Sequence, residues 1–78
     1  MADASKIYVR LLDEGVDVWR PVAAENLRGS VYRIVSQPYD AEVETWQFVP
    51  GDDVVCEPTL SDGRRLLVAT RRAAELTD

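Results

Sequence analysis

The stretch VDVWRPVAAENL, residues 16–27, decides how the chain folds. It opens with strand alternation, then sets Trp19, Arg20 and Pro21 side by side. Proline has no N–H to give a ladder, so within a sheet it occupies an edge or a bulge. On a straight strand Arg20 would share a face with Val16, Val18 and Val22, and an unpaired charge is costly to bury. A bend or bulge at Arg20-Pro21 answers both constraints. It releases Arg20 to solvent and breaks the register between Val18 and Val22. Strongly bent strands of this kind let a small sheet close on itself.

Upstream, KIYVRLL (6–12) alternates, with Ile7, Val9 and Leu11 on one face and Tyr8, Arg10 and Leu12 on the other. Asp13-Glu14-Gly15 supplies a loop, so 6–12 and 16–24 are predicted to pair as an antiparallel hairpin. Downstream, NLRGS (26–30) reads as a turn and VYRIV (31–35) as a strand. SQPYD (36–40) is a loop, and DAEVET (40–45) a loop or one helical turn. TWQFV (45–49) is a short strand with Trp46 and Phe48 on one face. Pro50-Gly51 is a turn, DVVCEPTL (53–60) a strand and SDGR (61–64) a hairpin turn. RLLVAT (65–70) closes the set, and RRAAELTD (71–78) has weak helical character. Between strands no segment is long enough for a crossover helix, which excludes an α/β design. The expectation is all-β: a small antiparallel barrel of about six short strands, with a possible short C-terminal helical turn.

The chain has 78 residues, enough for one domain over 1–78, with 1–5 and 73–78 expected to fray. Hydrophobic residues make up 46% and charged residues 29%, a balance that argues against disorder. Cys56 is the sole cysteine, so no internal disulfide forms, which suits a reducing compartment. MADASK lacks the pattern of a secretory signal and no apolar run approaches a membrane span, so a cytoplasmic location is expected. Nine Lys and Arg face 14 Asp and Glu, a net charge of −5, which weighs against duplex binding through phosphates. Histidine does not occur, which removes the commonest general base and the commonest zinc ligand together. The four glycines fall one per turn, so no phosphate-cradling loop is present.

The phrases YVRLLDEGVDVWRPV (8–22), VYRIV (31–35), YDAEVETWQFVPGDDVVCE (39–57) and SDGRRLLVA (61–69) together resemble a family of short uncharacterised bacterial proteins. The likeness extends over nearly the whole chain and implies an SH3-like barrel. PGDDVVC (50–56) is similar to the entry into a strand found in many SH3-like barrels. The resemblance brings no catalytic or ligand residues with it.

SH3 domains hold proline-rich peptides in an aromatic-lined groove. Trp19, Arg20, Tyr39 and Trp46 are therefore the candidate partner-binding residues, the acidic loop beside them suiting a basic peptide. For Trp46 and Phe48 the favoured reading is that they belong to the core or seal the barrel end, since large aromatics dominate core energetics. Asp40, Glu42, Glu44, Asp52 and Asp53 lack the glycine pivot and terminal bidentate glutamate of a calcium loop, so they read as solvated, with no metal or cofactor. Arg64, Arg65, Arg71 and Arg72 form an alternative phosphate-contacting patch for a nucleic-acid accessory module, or else pair with the protein's own acids, the favoured reading. Tyr8 and Tyr32 suggest base stacking, but the basic interleaving of single-strand binders is not read around them. Cys56 lies in an apolar strand with no base to activate it, so it reads as core. The functional expectation is a non-catalytic protein- or peptide-binding domain, monomeric or weakly self-associating through strand edges.

Overall fold

Six strands follow the turn signals: β1 (Ser5–Leu12), β2 (Trp19–Arg28), β3 (Val31–Ile34), β4 (Thr45–Trp46), β5 (Asp53–Ser61) and β6 (Arg64–Arg72). The structure, a computed structural model, describes residues 5–12, 14, 15 and 18–73. Five of the strands close into a hydrogen-bonded ring, β1-β2-β3-β5-β6 and back to β1. Every neighbouring pair in the ring is antiparallel except the closing one, where Tyr8 of β1 lies parallel to Val68 of β6. β4 extends β1 at its end, pairing Leu11 with Trp46 and Leu12 with Thr45. Among the described residues there is no helix long and apolar enough to cross a membrane.

A bend or bulge that breaks the register was expected at Arg20-Pro21, but the step carries no bulge and the register is continuous. The β1–β2 register runs unbroken from Ser5↔Ala24 through Tyr8↔Pro21 to Arg10↔Trp19. Leu11 N–H donates to the Val18 carbonyl, which fixes the alternation of bonded and non-bonded pairs along this ladder. Pro21 falls on a non-bonded position, with its nitrogen turned to the far side of β2. There β3 begins pairing only at Ala24, so the absent N–H is never asked for. Arg20 keeps the same side of the strand as Val22, yet remains exposed at the end of the ring.

The irregularities sit elsewhere. Asn26 pairs with Tyr32 but Arg28 with Val31, so Leu27 is an extra residue beside the β2–β3 turn. Val55 pairs with Arg71 but Cys56 with Ala69, which leaves Thr70 as the extra residue of β6. The Thr70 hydroxyl donates to the Val55 carbonyl, 3.1 Å away, and occupies an acceptor at the gap. Bulges of this kind bend a strand and raise its twist, which is what ring closure needs. Val54, Val55 and Cys56 are all buried in succession because both faces of β5 are covered here. Val54 and Cys56 face the main core, and Val55 joins a second small cluster with Val31 and Ala73.

Two turns owe their shape to single glycines. Val49 to Asp52 is a type II turn, with Pro50 then Gly51 at φ 98° and Asp52 N–H donating back to the Val49 carbonyl. Asp62 and Gly63 both take positive φ, 51° and 76°, the two-residue type I′ connection whose twist matches its strands.

The alternation in β1 is realised: Ile7, Val9 and Leu11 are buried together with Val22, Ala24, Ile34, Trp46, Phe48 and Ala69. Burial of each large aliphatic side chain contributes about 1.5 to 3 kcal/mol. Several boundaries move. Ser5, expected in a frayed tail, begins β1. Strand structure at 45–49 shrinks to Thr45–Trp46, and 40–45 forms a single turn in which Val43 and Glu44 donate to the Asp40 carbonyl. β6 continues through Arg71 and Arg72, where helical character was expected. The remainder of that expected helix, at 74–78, lies outside the described residues, as do residues 16 and 17 of the expected hairpin.

Candidate functional site

After β3 the chain crosses the outer edge of β2, and Gln37 fastens it there. The Gln37 amide copies a backbone peptide: Oε1 accepts from Ala23 N–H at 3.1 Å, and Nε2 donates to the Ala23 and Val35 carbonyls at 2.9 and 2.8 Å. This anchors Pro38 and Tyr39 beside the open end of the ring. Asp40 then starts the next turn, its Oδ1 accepting from Glu42 N–H at 2.9 Å. That turn brings Glu44 under Arg20.

Glu44 is the junction of the site. Its Oε1 accepts from Arg20 Nε at 2.8 Å and from the Trp46 indole Nε1–H at 2.7 Å, and its Oε2 accepts from Arg20 Nη2 at 2.6 Å. The Arg20 hydrogen bonds, with those of Trp46 next, hold the Glu44 carboxyl below its ordinary range. The same contact raises Arg20. Two-point contact between guanidinium and carboxylate fixes orientation as well as charge. Trp46 is buried, and Tyr39 stacks against it with ring centroids 4.6 Å apart and planes tilted by 46°. Tyr39 Oη also accepts from Trp46 N–H at 3.3 Å. Over these groups opens a shallow groove of about 510 Å³, lined by Arg20, Pro38, Tyr39, Asp40, Val43, Glu44 and Trp46. Val43 stands 76% exposed at its rim, and Asp40 adds negative charge there.

Three of the four residues singled out in the sequence thus meet, Arg20, Tyr39 and Trp46. Trp46 does so as a buried wall rather than an accessible anchor. Trp19 does not join them. It lies half-buried on the other side of β2 and lines a separate cleft with Tyr8, Val18, Ser61, Asp62, Arg64 and Leu66.

The four late arginines do not form one patch. Arg64 and Arg65 begin β6 whereas Arg71 and Arg72 end it, a separation of roughly 20 Å along an extended strand. Arg71 lies 3.9 Å from Glu57, and Arg72 lies 3.3 Å from Asp52 with its guanidinium over the Phe48 ring at 5.7 Å. The acidic residues are similarly engaged. Asp53 accepts from Nε and Nη2 of Arg33, which lowers its carboxyl, and Asp52 also accepts from Val49 N–H. No group of three or more metal-ligating side chains gathers among the described residues. Cys56 is buried in the core, and burial pushes its thiol up to about 11.

No family model matches the chain, and neither does any curated protein or solved structure.

Two features escaped the reading of the sequence. Gln37 gave no local sign, since two of its three hydrogen bonds go to Ala23, 14 residues away on another strand. The basic interleaving around Tyr8 was legible: Lys6, Tyr8 and Arg10 alternate on the side of β1 opposite Ile7 and Val9, and the Lys6 ammonium sits 5.9 Å from the Tyr8 ring centroid.

Proposed function

We propose that the chain is an SH3-like interaction domain of the bacterial cytoplasm, without catalytic activity, that binds an extended protein or peptide segment in the groove of Arg20, Pro38, Tyr39 and Val43. The observation that carries this reading is the tilted stack of Tyr39 on Trp46 at the groove, flanked by carboxylates. Aromatic walls suit the low-entropy polyproline II form, and a carboxylate rim suits a basic residue beside the prolines. The Arg20–Glu44 pair sets the charge pattern that such a residue meets. A catalytic reading has less support: Glu44 is tied to Arg20 and Trp46, and the groove offers no nucleophile beside a base.

The test is a nitrogen–proton correlation titration with two short proline-rich peptides, one carrying an arginine and one with glutamate in its place. The arginine peptide is expected to shift the Trp46 indole and the backbone of 38–44, and the glutamate peptide to bind more weakly. Unmoved resonances with both peptides at millimolar concentration reject the groove as a peptide site.

A further inference from the structure

We propose that the outward side of the β1–β2 hairpin, built on Tyr8 and Trp19, is a second binding site, separate from the groove, and that it takes a single-stranded nucleic acid. Register places these residues. Tyr8 opposes Pro21 and Trp19 opposes Arg10 at non-bonded positions, where facing side chains come closest. Tyr8 and Trp19 are thus diagonal neighbours, each half-buried, and a cleft of about 310 Å³ opens beside them toward the tip of the β5–β6 hairpin. Both rings belong to strands of the closed ring, so their backbones are held in place. Among the described residues the Trp19 indole has no hydrogen-bonded partner such as Glu44 gives Trp46.

Charge selects the occupant. Arg20, Arg33, Arg71 and Arg72 are neutralised by the protein's own carboxylates. Lys6, poised at the Tyr8 ring, and Arg64, lining the cleft, form no ion pair among the described residues. Flat rings that stack on bases, beside cations that meet phosphates, are the combination that single strands use without sequence preference. A duplex hides its base faces and fits this surface poorly. Asp62 also lines the cleft, and with the net charge of −5 it keeps the affinity low and strongly dependent on salt.

The test uses the whole chain and a fluorescein-labelled oligothymidylate of about 12 nucleotides, a length within the site sizes of single-strand binders. Anisotropy at low salt is expected to report binding, with the duplex of the same length much weaker. Trp19→Ala is expected to weaken binding by about 5- to 150-fold, the loss of one stacked base. The double variant Lys6→Gln, Arg64→Gln changes only exposed positions and is expected to flatten the salt slope by about 1.4. On adding the oligonucleotide the Trp19 indole resonance should move while that of Trp46 stays. No binding at low salt overturns the proposal, as does a duplex bound equally well or an unchanged affinity in the double variant. Shifts confined to Trp46 and Tyr39 also overturn it, and would place the nucleic acid in the groove instead.

Discussion

Trp46 exposes 6% of its surface and sends its indole N–H to Glu44, whereas Trp19 lies half-buried on the outward side of β2. The difference comes from strand parity and from what each strand end is given to bind. β4 has two residues, and its pairing to Leu11 and Leu12 turns Trp46 into the core, where a carboxylate and a tyrosine meet its polar atoms. Trp19 has the parity of Pro21, opposite to buried Val22. One tryptophan therefore holds the fold together and lines a groove, and the other leaves part of its ring at the surface. A residue's size says that it matters energetically, and its parity says to what.

The largest expected break in this contrast is Trp46→Ala. It should cost about 3 to 5 kcal/mol, as large core aromatics do, read as a shifted midpoint in urea unfolding followed by circular dichroism. Gln37→Ala comes next, at about 1 to 3 kcal/mol, because the polar backbone groups of Ala23 and Val35 lose their partners. It should also loosen the 38–44 segment and so weaken a groove ligand more than an oligonucleotide. Trp19→Ala should cost about 1 kcal/mol, half of what full burial contributes. A loss as large as that for Trp46→Ala would show Trp19 to be structural and erase the contrast.

The smallest effect concerns acid. Arg20 lowers the folded-state pKa of Glu44 from its ordinary 4.5, so the carboxylate stabilises the fold above that value. The contribution is lost as pH falls through the lowered folded pKa. Because the pair is exposed and screened, the change in stability is slight, but the Trp46 indole should report it directly. Its N–H resonance is expected to move as the pH drops below 4.5 while that of Trp19 stays still. Glu44→Gln should abolish that movement.

The legible part of the fold was local. Alternation in KIYVRLL, the glycine of SDGR and the Pro50-Gly51 pair each carry their geometry in adjacent residues, and each held. The reading failed where a decision depended on distant partners. Pro21 looked disruptive because proline lacks an N–H, but whether that N–H is needed depends on which side of β2 has a neighbour. Thr70 gave no sign of a bulge, since the shift arises from how β5 and β6 fit around the ring. At the candidate site, the sequence showed an acidic loop near aromatics, and it named Arg20, Tyr39 and Trp46. It did not show that Glu44, 24 residues from Arg20 in the chain, joins Arg20 to Trp46. The arginine patch failed for a simpler reason: residues close in a list of charges lie at opposite ends of one extended strand.

The parallel contact of Tyr8 with Val68 has a consequence for how the protein comes into being. β1 needs β6 beside it, and Val68 follows Tyr8 by 60 residues in the chain. Until β6 is made the nascent hairpin of β1 and β2 keeps one flank of β1 unsatisfied and Ile7 and Val9 uncovered. Such long-range closure slows folding. The interval before β6 arrives is the period in which this chain is most open to chaperones, to proteases and to mispairing with its own copies.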